Sequence, residues 1–189
     1  MLNKTFIQKL KKDYDKHDNE RRQIISLSNI VLHDSKRVIF ALHRDDIKKA
    51  EQSLLAIEKI LVNLEKKFSH NRLTQEGSYK AGAEEYVEAK MFYKVIKGEK
   101  IDKIKGIDLN FDSYLGGLSD TTGELVRRAI NQAAAGNIKE AENMKTAVNN
   151  IMAELVEFDM TGYMRTKYDQ AKGNLRKIEQ VLYEINLRK

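Results

Sequence analysis

The segment YDKHDNERRQIISLSNIVLHDSKRVIFALHR, residues 14–44, decides the fold class because it contains neither proline nor glycine. Its apolar residues recur at the three- and four-residue spacing of a helix that faces a core. They are Leu27, Ile30, Val31, Val38 and Leu42. The absence of breakers extends back to residue 3, which predicts one very long helix or two helices in line. HRDD (43–46) then turns the chain, with Asp45 or Asp46 as the next N-cap.

Further helical segments follow at short intervals along the chain. The second helix is predicted to run from the HRDD turn to about Phe68. The next helical segment starts at SHN (69–71) and includes 82–98, and the last three cover 112–135, 137–158 and 163–187. Gly136 is a C-cap signal, and DMTG (159–162) breaks the helical pattern. Residues 97–110 are predicted to be a short polar linker. Long helices with short connections predict an all-α, single-domain antiparallel bundle of about six to seven helices over 1–189.

The composition excludes several classes of protein. The 189 residues include no proline and no cysteine, with 41% apolar and 33% charged residues. Without cysteine there are no disulfides, thiolate metal sites or cysteine nucleophiles, and the chain fits a reducing interior. The sequence contains no run of 18 apolar residues, so it predicts no membrane span. The N-terminus lacks the apolar region of a secretory signal. We therefore expect a cytoplasmic protein without membrane contact.

Positive charge is concentrated at the two ends of the chain. The net charge is +6, and residues 1–44 carry ten Lys/Arg against five Asp/Glu. Residues 165–189 carry seven against three, whereas 45–164 carry 17 against 20. This distribution favours a phosphate-rich partner such as nucleic acid. The alternative is that the charge only keeps a small helical protein in solution.

Two acidic pairs lie at helical spacing. In GAEEYVEAKMFYKVIKG (82–98), Glu85 is in register with an apolar stripe and Glu88 follows one turn later. In SDTTGELVRR, Asp120 and Glu124 are four residues apart. Together the four carboxylates have the oxygen ligands that Mg²⁺ or Mn²⁺ prefers. The spacing alone is weak support, because such pairs are common on solvated helix faces.

Three glycines interrupt the helical pattern around the second acidic pair. They are Gly116, Gly117 and Gly123. A glycine inside a helix costs about 1 kcal/mol relative to alanine. Their presence predicts that another backbone or a ligand approaches this helix closely.

The motifs around these residues resemble a known family. EYVEA (85–89) and DTTGELVRRAIN (120–131) are similar to the translin superfamily and, within it, to the translin-associated factor X (TRAX) branch. The segments 14–44 and 165–189 resemble its first and last helices, so the resemblance covers nearly the whole chain. It implies a bundle of about seven helices that assembles into a closed octamer around nucleic acid. Translin itself lacks the paired glutamates, which this chain keeps.

The resemblance also implies an activity, a Mg²⁺-dependent endoribonuclease that cuts single-stranded RNA or the exposed strand of a short duplex. Glu85, Glu88 and Asp120 would hold one or two Mg²⁺ ions, with Mn²⁺ as a substitute, and Glu124 would hold metal or accept a proton from water. Alternatively, Glu124 pairs with Arg127 or Arg128 along its helix. The other functional alternatives are a non-catalytic translin-like binding protein and a scaffold with surface carboxylates.

Several departures from animal TRAX bear on assembly. The linker 97–110 is short, and the chain shows neither a basic N-terminal segment nor an acidic tail. We expect a compact, archaeal-type member that forms a homo-octamer. A second, translin-like partner chain is the alternative.

Seven basic residues are candidates for RNA binding: Arg22, Lys36, Arg37, Arg44, His70, Arg72 and Arg127. Arg37 and Arg44 share a helix face, whereas Lys36 points about 100° away from Arg37. Arg22 falls roughly 60° from Arg37 if the helix is continuous. For Lys36, Arg37 and Arg44, the alternative to RNA contact is ion pairing with Asp34 or Asp45. For Arg127, the alternative is a contact at a subunit interface or an ion pair with a carboxylate.

The remaining ring side chains have less specific interpretations. Tyr79, Tyr86, Phe92 and Tyr93 would stack on bases or, more often at this spacing, pack in the core. The four histidines are scattered and predict no metal-ligand set.

Overall fold

The structure is a computed structural model that describes residues 2–187. Met1, Arg188 and Lys189, which the single-domain prediction and the 165–189 segment include, lie outside the described residues. The described residues form seven helices: α1 Lys4–His43, α2 Ile47–Lys67, α3 His70–Leu73, α4 Gly77–Ile96, α5 Phe111–Ala134, α6 Ile138–Leu155 and α7 Gly162–Leu187. The all-α prediction is confirmed.

The first helix is continuous over 40 residues. Asn3 caps its start by accepting hydrogen bonds from the amides of Thr5 and Phe6. At its end Asp45 takes a left-handed conformation with φ 58°, and Asp46 caps α2 by accepting from the amide of Lys49. The sequence allowed one long helix or two helices in line, and the structure has one long helix. It allowed Asp45 or Asp46 as the next N-cap, and the structure has Asp46.

A buried arginine holds the corner between α1 and α2. The side chain of Arg128 on α5 is 7% exposed and donates to the carbonyl oxygen of Leu42 at 2.9 Å and to Asp45 Oδ1 at 2.8 Å. Its Nε lies 3.5 Å from Glu140 Oε1 on α6. The guanidinium therefore connects α5 to α1, to the α1–α2 turn and to α6 at one end of the bundle.

Residues 97–110 form a packed crossover, which corrects the prediction of a short polar linker. Ile104, Ile107 and Leu109 are buried in the core. The amide of Asp108 donates to Glu65 Oε1 on α2 at 2.8 Å. The segment thus leads the chain from the end of α4 back along the bundle to the start of α5.

Because of this crossover, α4 and α5 run in the same direction. A Cβ added to Gly117 would lie 2.9 Å from the carbonyl oxygen of Glu84. One turn further along both helices, the hydroxyl of Thr121 lies 3.4 Å from the carbonyl oxygen of Glu88. Helices joined by tight turns, such as α5 and α6, remain antiparallel. The parallel contact places the two acidic pairs at the same level of the bundle.

Two of the three α5 glycines permit this contact. A Cβ at Gly117 would lie 2.6 Å from Val87 Cβ, and one at Gly116 would lie 2.2 Å from Glu84 Oε2. At Gly123 the nearest atom, Asn174 Nδ2, is at an ordinary 3.4 Å. Close approach of another backbone therefore explains Gly117, the Glu84 side chain occupies the space beside Gly116, and Gly123 has no such close neighbour.

The core lies between α1, α4 and α5, with α2, α6 and α7 covering its sides. Among its largest fully buried side chains are Ile24, Leu42, Tyr86, Phe92 and Leu125. Each such aliphatic or aromatic side chain contributes about 1.5–3 kcal/mol by burial. Tyr79 and Tyr93 are buried as well, so all four candidates for base stacking belong to the core. None of the helices in residues 2–187 is long and apolar enough to cross a membrane.

Candidate active site

The α4 acidic pair lies against α5, with Glu88 the deeper of the two. Glu88 is 8% exposed. Burial and then the charges of Glu85, Asp120 and Glu124 raise its pKa to about 9. The four predicted carboxylates are thus close enough to influence one another. At neutral pH Glu88 holds a proton in the structure as it stands.

Glu85 is half-buried on the same face. Burial raises its pKa, and this effect is opposed by Lys36, whose Nζ lies 3.9 Å from Glu85 Oε2. The Lys36 side chain is 56% exposed. Its ammonium is therefore a loose and partly screened counter-charge.

The α5 pair is held more firmly. Asp120 Oδ2 accepts a short hydrogen bond from Lys167 Nζ of α7. Glu124 Oε2 lies 2.5 Å from His43 Nε2, and the His43 ring packs on Phe92 with centroids 5.0 Å apart. Burial raises the pKa of Asp120, although Lys167 counteracts the effect.

A fifth carboxylate joins the site through Lys167. Lys167 Nζ lies 2.8 Å from Glu84 Oε1, which also accepts from the Tyr163 hydroxyl at 2.7 Å. The ammonium is 5.3 Å from the centroid of the Tyr163 ring. Burial alone would lower the pKa of Lys167, but its hydrogen bonds to Asp120, Glu84 and Tyr163 raise it, so this side chain is a permanent cation.

Sequence reasoning missed three members of the site: Glu84, His43 and Lys167. The scattered histidines, His43 among them, predicted no metal-ligand set. In the structure His43 contacts the carboxylate of Glu124, 81 positions further along the chain. Tyr163 and Lys167 are four apart on one helix, which is a weak signal. The close contact that Gly116 permits is with the Glu84 carboxylate itself.

The donor set fits a hard divalent cation, but the present side-chain positions do not form a cage. The donors are carboxylate oxygens, which suit Mg²⁺ and Mn²⁺. Glu88 lies among three other carboxylates, which favour its protonated form, and a bound cation would favour its ionised form instead. Within residues 2–187, however, no three His, Asp or Glu side chains are arranged to hold a metal as they stand. Metal binding therefore requires side-chain rotation, chiefly of Asp120 and Glu124 away from Lys167 and His43.

Four of the seven basic candidates lie on the α1 and α5 surface beside the carboxylates. Lys36 faces Glu85, and Arg127 lies 3.5 Å from Glu124 Oε2 with its guanidinium over the Phe40 ring. Arg37 is exposed and pairs with Asp34 at 2.7 Å. Arg44, the C-cap of α1, is exposed as well. Both predicted alternatives, RNA contact and local ion pairing, stay compatible with these positions.

The other three candidates lie toward the opposite end of α1. Arg22 is exposed and pairs with Asp18 at 2.6 Å. Arg72 is only 11% exposed and bridges Glu20 and Glu76, so its geometry favours a structural role. His70 Nδ1 lies 3.6 Å from Asp108 Oδ2, beside the crossover. His70 and Arg72 thus stabilise the packing around α3 and are weak candidates for RNA contact.

A profile of the Translin family matches residues 19–189. The chain belongs to the Translin family. The matched range contains all four predicted carboxylates and residues 19–44 of the α1 segment that resembles the family. The prediction of family membership is confirmed.

Among related Translin family proteins, translin of Gallus gallus is 29% identical over 94 residues, covering 49% of this chain and 41% of that protein. Translin-associated protein X of Mus musculus is 24% identical over 228 residues, covering 98% and 77%. An uncharacterized protein of Methanocaldococcus jannaschii is 26% identical over 165 residues, covering 85% and 73%. The chain thus matches about two fifths of the length of translin and three quarters of TRAX.

Solved structures share the fold over nearly the whole chain. A structure of AfC3PO with duplex RNA superposes with a TM-score of 0.87 at 22% identity, covering 97% of both chains. Apo-NeC3PO superposes with a TM-score of 0.84 at 23% identity, covering 98% of both. At these identities the likeness shows that the Translin family fold is common to the three proteins.

Proposed function

We propose that this Translin family protein is a metal-dependent endoribonuclease that cleaves single-stranded RNA or the exposed strands of short duplexes. The observation that carries the proposal is the meeting of the Glu85/Glu88 and Asp120/Glu124 pairs across the α4–α5 contact. Glu88 is buried there among like charges. Buried carboxylates without structural cations are costly, which favours a functional role for the cluster.

Each carboxylate has a role in the proposed reaction. Glu85, Glu88 and Asp120 would hold Mg²⁺ or Mn²⁺, and Glu124 would share in that task or act as base. When bound, the cation would supply charge stabilisation at the phosphate and a more acidic water. As the base, Glu124 would accept a proton from the attacking water and keep its 2.5 Å contact with His43 Nε2, which orients the carboxylate. As a metal ligand it would instead turn away from His43. Water forms the new P–O bond while the P–O3′ bond breaks. The leaving 3′-oxygen takes a proton from solvent water, so the products carry a 5′-phosphate and a 3′-hydroxyl.

The basic surface beside the carboxylates supplies the proposed RNA contacts. Lys36 and Arg127 flank the site, and Arg37 and Arg44 extend the charge along α1. Cationic side chains of this kind bind the phosphate backbone without reading sequence. The solved neighbour AfC3PO is described in complex with duplex RNA, which supports RNA as the partner class.

Assembly into a closed homo-octamer is part of the proposal. Large apolar side chains are exposed on the first turns of α1 and near the α6–α7 turn, among them Phe6, Leu10 and Phe158. Such surfaces usually mark protein contacts. Identical subunits are the first expectation, and a translin-like partner chain is the alternative. A cytoplasmic location remains an expectation from the cysteine-free sequence.

The proposal is tested with end-labelled single-stranded RNA and a matched duplex, each incubated with Mg²⁺ or with chelator. Wild type should cut the single strand only with metal, and Glu85→Ala and Glu88→Ala should lower the rate at least about 100-fold. Products should carry 5′-phosphates. Binding without cutting would support the non-catalytic alternative. Recovery of 2′,3′-cyclic phosphates would contradict the water-attack mechanism.

A further inference from the structure

The ammonium of Lys167 lies inside the carboxylate cluster rather than on its rim. The side chain is 15% exposed, as is that of its partner Glu84. It contacts Asp120 and Glu84 at once, and Tyr163 closes the cluster from the side. Lys167 therefore connects α7 to both helices that carry the predicted metal ligands.

A comparison with Lys36 shows what is particular about Lys167. Both ammonium groups lie beside a predicted ligand, but Lys36 is 3.9 Å from Glu85 and largely exposed. Lys167 hydrogen-bonds to Asp120 and is shielded from solvent. Coulombic interaction between charges strengthens as water is excluded, so the Lys167–Asp120 pair affects local charge more than the Lys36–Glu85 pair.

We propose that Lys167 is a positioning residue that competes with the divalent cation for Asp120 and thereby limits the metal affinity of the site. This inference rests on the proposed metal site. The Lys167 ammonium lies next to Asp120 Oδ2, a carboxylate oxygen that the metal would use as a ligand. For a cation to bind Asp120, that oxygen must exchange one positive partner for another.

Glu84 is the second carboxylate partner that allows Lys167 to release Asp120 to the metal. Its Oε1 lies 2.8 Å from Lys167 Nζ and is fixed by the Tyr163 hydroxyl. When Asp120 turns to the metal, Lys167 keeps this second carboxylate and remains paired. Gly116 leaves room for this position of the Glu84 carboxylate, because a Cβ there would overlap Glu84 Oε2 and the side chain would have to shift. The predicted signs for the two partners are therefore opposite: removing Lys167 favours the metal, and removing Glu84 disfavours it.

The test measures Mn²⁺ dissociation constants by electron paramagnetic resonance for wild type, Lys167→Met, Lys36→Met and Glu84→Gln. Lys167→Met should bind Mn²⁺ about tenfold more tightly, because a neighbouring like charge is gone. Lys36→Met should stay within about twofold, since its ammonium is exposed. Glu84→Gln should bind about threefold more weakly, because Lys167 then depends on Asp120 alone. General structural damage would weaken binding and so cannot imitate the Lys167→Met result.

Two outcomes would overturn the inference, and they separate it from the proposed function. If wild type binds Mn²⁺ but Lys167→Met binds equally or more weakly, Lys167 is not a competitor and the metal site stands. If neither wild type nor any variant binds Mn²⁺ at millimolar concentration, the metal site and this inference both fail. Thermal melts with and without Mn²⁺ show whether each variant is folded. If Lys167→Met does not fold, the inference stands or falls on Glu84→Gln, and unchanged Mn²⁺ affinity in that variant overturns it.

Discussion

The two acidic pairs differ in how their charges are balanced. On α5, Asp120 is hydrogen-bonded to Lys167, and Glu124 lies 3.5 Å from the Arg127 guanidinium and contacts His43. On α4, Glu85 has a loose ion pair with Lys36 and Glu88 is buried among carboxylates, while Lys167 acts on both from a greater distance. In the sequence the two pairs look alike, because each consists of two acidic residues three or four positions apart on one helix. The α5 pair is thus internally compensated, whereas the α4 pair is short of positive charge.

This difference indicates where an added cation would have its largest effect. A divalent ion would replace the proton of Glu88 and would displace existing partners at Asp120 and Glu124. On the α4 pair the ion therefore competes mainly with a proton, whereas at Asp120 it competes with the ammonium of Lys167.

The comparison depends on the close contact between α4 and α5, and Gly117→Ala is the substitution that should disturb it most. The added Cβ would lie 2.6 Å from Val87 Cβ and 2.9 Å from the Glu84 carbonyl oxygen, so backbone must move. We expect a loss of about 1–3 kcal/mol in the free energy of unfolding, measured by urea denaturation.

The matched control is Gly173→Ala on α7, where a Cβ would have no heavy atom within 4 Å. Helix propensity alone should stabilise this variant by about 0.5–1 kcal/mol. Equal effects of the two substitutions would show that the α4–α5 contact is looser than described.

The charge deficit at Glu88 should appear as a pH dependence of stability in the absence of metal. The folded-state pKa of about 9 lies above the ordinary value of 4.5. The protonated form is therefore favoured by folding, and its contribution is complete below pH 4.5 and lost as the pH rises toward 9. Glu88→Gln removes this loss and should melt about 5 °C above wild type at pH 8.5, with a smaller gap at pH 5.5.

Melting curves at fixed protein concentration across this pH range provide the measurement. The exposed Glu142→Gln is the control and should follow wild type at each pH. A constant difference between Glu88→Gln and wild type would mean that Glu88 does not change its protonation within this window.

The smallest expected effect concerns the basic surface on α1. Arg37→Ala and Arg44→Ala each remove one proposed phosphate contact and should lower RNA affinity a few-fold. Each should reduce the slope of log affinity against log salt by about 0.7, as measured by fluorescence anisotropy. Lys59→Ala, an exposed α2 residue, should leave both unchanged. Unchanged slopes for Arg37→Ala and Arg44→Ala would restrict the RNA path to Lys36 and Arg127.

Much of the fold was predictable because its signals are local. The breaker-free α1 segment, a cap at Asp45 or Asp46 and the stop at Gly136, whose φ is 85°, follow from neighbouring residues alone, and the structure selects Asp46. The crossover 97–110 was not predictable in this way. Its polar composition hides Ile104, Ile107 and Leu109, whose burial depends on helices distant in sequence.

The site divides along the same line. The pairs Glu85/Glu88 and Asp120/Glu124 were found because spacing within one helix fixes a shared face. His43 and Lys167 reach those carboxylates from α1 and α7, and only the packing of the bundle brings them there. The same holds for Arg72, because its ion pair with Glu20 comes from the packing of α3 against α1 and is not visible in the local sequence.

Binding of Mn²⁺ to variants from each acidic pair tests most directly whether the two pairs form one metal site. Electron paramagnetic resonance would compare wild type with Glu88→Gln, Asp120→Asn and the exposed control Glu142→Gln. We predict that Glu88→Gln and Asp120→Asn each weaken binding at least about tenfold, because both carboxylates contact the same ion. The control should bind like wild type. Wild-type affinity in either Glu88→Gln or Asp120→Asn would contradict a shared site.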